Sequence, residues 1–197
     1  MHIGRSYVSH PDPLPEGTTT EDPLPTSAEV ALRSPLEADG ARMWRLVRES
    51  GVLDRNSAYL YLLIGAHFRD TSVVATAGDR LVGFISGYLP PTRPGVLFIW
   101  QVAVDAAARG RGIAGRMLDD LIARPACAGV TAMETTVTPS NGASRAMFAS
   151  FARRNGAAID ETAGFTGGLF PADIHEDERL LRIGPLVGGT HVRGESV

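Results

Sequence analysis

The chain has 197 residues, 44% of them apolar, and a formal net charge of −3 at pH 7. This length predicts one domain with a substantial core, and no apolar run is long enough to cross a bilayer, so no membrane partner is expected. The lack of a basic tract argues against nucleic acid as a partner. One cysteine, Cys127, excludes an internal disulfide, and an N-terminus without a basic and apolar leader predicts a cytoplasmic protein.

The N-terminal region differs in composition from the remainder of the chain. Five prolines stand among Thr, Ser, Asp and Glu within the first 25 residues, and apolar clusters are rare there. This composition predicts a disordered extension over residues 1–33. A single folded domain is expected over 34–186, followed by a flexible tail over 187–197.

Two helices are predicted at the start of the domain. Asp39 is expected to cap the first, which ends at Gly51, and Asn56 or Ser57 to cap the second. Apolar residues recur at helical spacing in both: Met43, Leu46 and Val47, then Tyr59, Leu60, Leu63 and Ile64. The polar group Asp54, Asn56 and Ser57, with Tyr59, exceeds what one cap needs, so capping alone does not explain this helix start.

Strands and a hairpin follow. Residues 72–76 and 81–88 are predicted as antiparallel strands joined by a turn that contains Gly78 and Asp79. Residues 97–104 are apolar almost throughout, which is typical of a strand covered on both faces. Another strand is predicted over 130–137. A helix then begins near Asn141 and ends at Gly156, before a short β-rich C-terminal part.

Residues 97–124 organise the chain as a buried strand, a glycine-rich turn and an amphipathic helix. In the turn, Arg109-Gly110-Arg111-Gly112-Ile113-Ala114, glycines allow close backbone approach, and a new helix offers N–H groups to an anion. The spacing Gly110-x-Gly112-x-x-Gly115, with Glu134 about 20 residues later, also fits a dinucleotide fingerprint. However, too little chain follows for a doubly wound domain. The chain has no lysine, which excludes a nucleoside-triphosphate loop.

Several stretches together resemble a known enzyme family. Arg109-x-x-Gly112-x-Ala114 after a strand ending VAVD resembles the acyl-CoA pyrophosphate motif of the GNAT acetyltransferases. The segments LDRNSAYLYLL, GFISGYLPP, LFIWQVAVD, METTVTPSNGASRAMF and HEDE resemble the L-2,4-diaminobutyrate acetyltransferases of ectoine biosynthesis. The resemblance covers residues 34–185. It implies the α/β (α+β) GNAT fold, a mixed central sheet with splayed central strands and flanking helices.

The resemblance also implies acetyl-CoA as co-substrate, L-2,4-diaminobutyrate as acceptor at its side-chain (γ) amine, and a homodimer. Residues implied to contact the cofactor are Val102, Ala103, Val104, Arg109, Gly110, Arg111, Gly112, Ile113, Ala114, Asn141, Ser144 and Phe148. Phe148 stands where the family often has tyrosine, a proton donor to the departing thiolate, so that acid role is in doubt. Residues expected at the acceptor site are Asp54, Asn56, Ser57, Tyr59, Trp100, His175 and Glu176.

The transfer requires a base, because an alkylamine with a pKa of about 10 is mostly protonated at pH 7. Glu134 is the candidate, acting directly or through water, although strand alternation could place it toward solvent instead. Trp100 could equally be a core residue. The segment from His175 to Glu178 lacks the spacing of a transition-metal site, so no metal is expected. A GNAT enzyme for another small amine, or a non-catalytic acyl-CoA sensor, remain alternatives.

Overall fold

A computed structural model of the protein describes residues 29–50, 56–170 and 176–186. Seven strands form one sheet in the order β1-β2-β3-β4-β5-β7-β6. The strands are β1 Ala31–Arg33, β2 Val73–Ala77, β3 Arg80–Tyr88, β4 Val96–Val104, β5 Ala132–Val137, β6 Ala158–Ala163 and β7 Arg179–Gly184. The helices are α1 Gly40–Ser50, α2 Ala58–His67, α3 Ile113–Ile122 and α4 Gly142–Arg154. Among the described residues, no helix has the length and apolarity that a membrane span requires.

The two faces of the sheet carry different cores. The larger core includes the α3 residues Met117, Leu118 and Leu121 and the α4 residue Phe151, all fully buried. Their spacing gives α3 and α4 apolar faces that cover one side of the sheet. The smaller core joins α1 and α2 to β2, β3 and the end of β4 on the opposite side. We call these the cofactor face and the acceptor face, respectively.

The central strands separate part of the way along their length. β4 and β5 pair in parallel from Val96 with Ala132 to Ile99 with Thr135, and the register ends there. β4 continues to Val104 while paired with β3 on its other edge. The remaining residues of β4 therefore present an open backbone edge toward β5, which is the splayed arrangement predicted above. The other strand pairs of the sheet are antiparallel.

A β-bulge in β4 lies where the splay begins. Gly87 pairs with Ile99 and Ser86 pairs with Gln101, so Trp100 is an extra residue without a partner position on β3. A bulge offsets the side-chain alternation of a strand. Ile99 and Val102 consequently contact the core on the cofactor face, whereas Gln101 hydrogen-bonds to α2 on the acceptor face.

The element order predicted from the sequence is confirmed, with three local corrections. Residues 31–33, assigned to the N-terminal extension, form the edge strand β1, because β2 supplies a pairing partner that no local pattern reveals. Asp39 does not cap α1: it lies in a short 3₁₀ turn and accepts a hydrogen bond from the Leu36 N–H at 2.8 Å. On α2, Ile64 of the predicted stripe is buried as expected, but Tyr59 is exposed and Tyr61, outside the stripe, is fully buried. Residues 1–28 and 187–197 lie outside the described residues.

Asp39 should make part of the stability depend on pH. Burial raises the pKa of Asp39, but hydrogen bonds from Arg33 and the Leu36 N–H outweigh that effect and leave the pKa below its ordinary value. A lowered carboxyl pKa gives stability that is present above the unfolded value of about 3.9 and lost as the pH falls through the folded value. Asp39→Asn should therefore cost about 1–3 kcal/mol at pH 7 and much less near pH 3. Urea unfolding from pH 3 to 7 measures this difference, and a pH-independent loss would contradict it.

Candidate active site

The glycine-rich turn ends in a helix start that has no side-chain cap. Gly110 and Gly112 adopt positive φ angles of +76° and +70°, and Gly112 is the N-cap of α3. The first α3 hydrogen bond runs from the Arg116 N–H to the Gly112 carbonyl at 3.0 Å. The N–H groups of the preceding helical residues have no partner within the helix. With a glycine as N-cap, these donors are available to an anion, and the N-terminal end of the helix dipole favours one.

A cleft of about 490 Å³ opens beside this turn, between α3 and α4. The residues that line it are Val104, Ala108, Arg109, Gly110, Gly112, Ile113, Ala114, Gly115, Arg116, Asp119, Met147, Ser150 and Arg154. Six of the predicted cofactor residues are among them. The cleft also includes Arg154, which donates to Asp119 at 3.1 Å, and the half-buried Met147. Neither residue was predicted at the site, because only the packing of α4 against α3 brings them to the turn.

The backbone of β4 offers a donor to the space between the splayed strands. The Gln101 N–H donates to Ser86 Oγ on β3 at 3.2 Å. Successive N–H groups along a strand point to opposite edges, so the Val102 N–H points toward the open edge. A donor at this edge can hydrogen-bond to an oxygen atom that lies between the strands. Ala103 and Val104 continue the same open edge toward the glycine-rich turn.

The three residues of the second predicted cofactor motif occupy different environments on α4. Asn141 is the N-cap, and its Oδ1 accepts a hydrogen bond from the Ser144 N–H at 3.0 Å. Asn141 is exposed and Ser144 is half-buried, so both side chains remain accessible. Phe148 is only 2% exposed and packs in the core of the cofactor face. A structural role for Phe148 is therefore evident, and its contact with a cofactor stays a prediction.

Two aromatic residues expected at the acceptor site are exposed on the acceptor side. Trp100 is 45% exposed, so the alternative that it is a core residue is wrong. The bulge explains this, because the extra residue does not take a regular position in the strand. Tyr59 is 64% exposed in the first turn of α2, where its N–H donates to the Oγ of the N-cap residue Ser57 at 3.3 Å.

Hydrogen bonds tie the start of α2 to the bulge. The buried Tyr61 hydroxyl donates to Gln101 Oε1 at 3.1 Å and also hydrogen-bonds to Asn56. Burial raises the pKa of Tyr61, so the phenol stays protonated at neutral pH. Asn56 therefore helps to hold the beginning of α2 against β4. Tyr61 and Gln101 were not predicted at the site. Each lies within two residues of a predicted one, Tyr59 and Trp100 respectively, and only the fold shows which member of each pair is buried.

Glu134 is buried between two arginines. Its side chain is 4% exposed, which rules out a solvent-facing orientation. Glu134 Oε1 accepts a hydrogen bond from Arg182 at 2.6 Å, and Oε2 accepts one from Arg93. Arg182 lies on β7 in register with Glu134, and Arg93 lies in the loop between β3 and β4. Neither arginine was predicted, because the pairing of β5 with β7 becomes visible only when the sheet order is known.

Three further residues were predicted at the acceptor site: Asp54, His175 and Glu176. Glu176 is exposed, and its Oε2 accepts a hydrogen bond from the Ser140 N–H at 3.2 Å, which places it near the start of α4. Asp54 and His175 lie outside the described residues, so their predicted contacts stay predictions. Arg111 is half-buried in the glycine-rich turn.

Comparisons with known proteins show similarity in both sequence and fold over most of the chain. The acetyltransferase (GNAT) family profile matches residues 41–152. The L-2,4-diaminobutyric acid acetyltransferase of Streptomyces avermitilis is 52% identical over 76% of this chain and 84% of its own. That of Halalkalibacterium halodurans is 42% identical over 85% and 88%. Among solved structures, the diaminobutyrate acetyltransferase of Paenibacillus lautus in complex with L-2,4-diaminobutyric acid and coenzyme A is 45% identical with a TM-score of 0.78, over 80% of this chain and 96% of its own. The chain therefore belongs to the GNAT acetyltransferases and, within them, to the L-2,4-diaminobutyric acid acetyltransferases.

Proposed function

We propose that the enzyme transfers the acetyl group of acetyl-CoA to the side-chain amine of L-2,4-diaminobutyrate and that the N4-acetyl product feeds ectoine synthesis. One observation carries this proposal. The splayed edge of β4 connects an uncapped helix start at Gly112 with an exposed tryptophan, Trp100, on the acceptor side. An anion-binding turn, an open backbone edge and an acceptor surface are the three parts that acetyl transfer from a coenzyme A thioester needs.

The glycine-rich turn and the open edge of β4, together the cofactor arm of the site, would hold acetyl-CoA mainly through backbone groups. The N–H groups after Gly112 would bind the pyrophosphate, and Arg109 and Arg111 add positive charge beside it. The pantetheine chain would follow the open edge of β4 past Val104 and Ala103. The thioester oxygen would then meet the Val102 N–H, which stabilises the negative charge that develops during attack. Ser144 and Asn141 would contact the pantetheine from the start of α4.

The residues predicted at the acceptor site, together the acceptor arm, must bind an ammonium group of the substrate, expose an uncharged amine and reject other amines. Asp54 and Glu176 would bind the amino groups, while Tyr59, Trp100 and His175 would shape the site, with Asn56 and Ser57 fixing the helix that carries Tyr59. Glu134 stays the proposed base. Because both of its oxygens already accept hydrogen bonds from arginines, we propose that it removes the amine proton through water rather than by direct contact.

Release of coenzyme A does not require an acid at the tyrosine position. Phe148 has no hydroxyl and is buried, so it cannot protonate the sulfur. A thiol has an ordinary pKa of about 8.5, which makes the thiolate an acceptable leaving group near neutral pH. The reaction would therefore proceed by departure of the thiolate, with protonation afterwards by water.

We further propose that the enzyme works as a homodimer in the cytoplasm, where acetyl-CoA is available. All six residues of the edge strand β6 are exposed, and its outer edge pairs with no other strand of the described residues. Ile159 on β6 and Phe165 just beyond it are exposed apolar side chains. An unprotected edge strand with apolar neighbours suits pairing across a two-fold axis. The molar mass in solution tests this part of the proposal directly.

The position of acetylation tests the acceptor assignment. If the α-amino-acid end is bound by side chains of the acceptor arm, only the side-chain amine reaches the thioester, so the γ-acetyl product should dominate. Lysine should react poorly because its longer side chain carries the amine past the carbonyl carbon. NMR of the product identifies the acetylated nitrogen. Mainly α-acetylation would reject this arrangement, efficient use of unrelated amines would favour a broader acceptor range, and acetyl-CoA binding without turnover would indicate a sensor.

A further inference from the structure

Two half-exposed arginines surround a buried carboxylate on the acceptor face. The side chains of Arg93 and Arg182 are 43% and 47% exposed, whereas that of Glu134 is 4% exposed. Glu134 neutralises one of the two positive charges, which leaves the cluster with a net charge of +1. A guanidinium has five N–H donors, and each arginine uses one nitrogen on Glu134, so donors remain on the exposed side of both.

The position of this cluster relates it to the splayed strands. Glu134 is in register with Phe98 on β4, one residue before the pairing of β4 with β5 ends. Leu97 and Ile99 pack on the cofactor face, so Phe98 and the adjacent Glu134 lie on the acceptor face. Trp100 follows Phe98 by two residues, about 7 Å along a strand. The arginines therefore lie close to the exposed indole and to the opening between the strands.

We infer that Arg93 and Arg182 bind the α-carboxylate of the acceptor amino acid and that Glu134 positions both guanidinium groups for this contact. Two arginines are a geometrically suitable receptor for one carboxylate, since each can donate two parallel hydrogen bonds. Without the carboxylate of Glu134, the two positive charges would repel one another. Because pairing of β4 with β5 ends one residue beyond Glu134, an acceptor whose carboxylate is anchored by the arginines would have its side-chain amine directed toward the opening between these strands.

This inference rests on the proposed function and adds the feature that selects an amino acid over a diamine. 1,3-Diaminopropane has the carbon chain and both amines of diaminobutyrate but no carboxylate. The wild-type enzyme should strongly prefer diaminobutyrate. A site that recognises the carboxylate through Arg93 and Arg182 should lose that preference when either guanidinium is removed.

The experiment compares kcat/KM for the two acceptors in the wild type, Arg93→Gln and Arg182→Gln. Each substitution should lower kcat/KM for diaminobutyrate, mostly through KM, on the order of tenfold to a hundredfold more than it lowers the value for 1,3-diaminopropane. Arg182→Lys should recover only part of the loss, because an ammonium group lacks the planar fork. The affinity for acetyl-CoA should not change in any of these variants.

Arg179→Gln is the matched control. Arg179 lies on the same strand and also pairs with a glutamate that binds a second arginine, Glu161 with Arg145, but on the cofactor face. The Arg179→Gln variant should keep the wild-type preference for diaminobutyrate over 1,3-diaminopropane. Equal losses for both acceptors in the Arg93 and Arg182 variants, or an unchanged preference for diaminobutyrate, would overturn the inference. A wild-type enzyme that does not acetylate diaminobutyrate would instead overturn the proposed function, whatever the variants do.

Discussion

Gly112→Leu should weaken acetyl-CoA binding by roughly a hundredfold or more, because it removes the approach of the pyrophosphate to at least two backbone donors that contribute about 1.5–3 kcal/mol each. An added Cβ at Gly112 would meet no atom of the protein within 4 Å. The space that the side chain fills is therefore the space in front of the helix start, where the anion is expected. Isothermal titration calorimetry with acetyl-CoA measures the loss.

The conformational cost of this substitution needs its own control, because Gly112 has a φ of +70°. Gly78, in the turn between β2 and β3, has a φ of +58° and also has no atom within 4 Å of an added Cβ. Gly78→Leu should thus lose a similar free energy of unfolding, about 1–2 kcal/mol, and keep its affinity for acetyl-CoA. Equal affinities in the two variants would mean that the turn at Gly112 does not contact the cofactor.

Glu134→Gln should reduce kcat/KM for diaminobutyrate by about a hundredfold or more while leaving acetyl-CoA binding intact. Glutamine has nearly the shape of glutamate, but it can neither accept the proton nor neutralise Arg93 and Arg182. The dependence of the rate on pH separates these two contributions. Loss of the acidic limb of the kcat/KM profile identifies proton transfer, and a higher KM with an unchanged profile identifies positioning of the arginines.

Glu161→Gln is the corresponding control, since Glu161 also accepts hydrogen bonds from two arginines but on the other face of the sheet. The Arg145 hydrogen bond lowers the pKa of Glu161, so this carboxylate is charged at neutral pH. Its replacement should leave the kinetics with both acceptors unchanged. Wild-type kinetics in Glu134→Gln would remove Glu134 from the site altogether.

Local patterns were sufficient to predict most elements and one half of the site. Apolar periodicity marked α3, and the glycines at 110 and 112 marked the helix start, because a positive φ and an uncapped N-terminus depend on residues that are adjacent in sequence. The order of helices and strands followed in the same way. The splay between β4 and β5 was expected only through the family resemblance, since no residue in either strand encodes where pairing stops.

Features that depend on contacts between distant segments were beyond the sequence argument. The strand β1 needs β2 as a partner, and the exchange of Tyr59 for Tyr61 as the buried residue of α2 depends on how the helix meets Gln101. α2 is apolar on nearly all sides, so its spacing could not identify the side that packs on the sheet. The arginines around Glu134 likewise come from a loop and a strand that lie 41 and 48 residues away along the chain.

The bulge at Trp100 lets β4 carry an exposed indole without disturbing the pairing on either side of it. Trp100 is the one extra residue between Ile99, which pairs with Gly87, and Gln101, which pairs with Ser86. Deleting Trp100 would join Ile99 to Gln101 in regular alternation, so Gln101 would stay on the face of Tyr61 and Val102 on the face of its core. The deletion should therefore remove the indole from the acceptor side and leave the register of β3 with β4 in place.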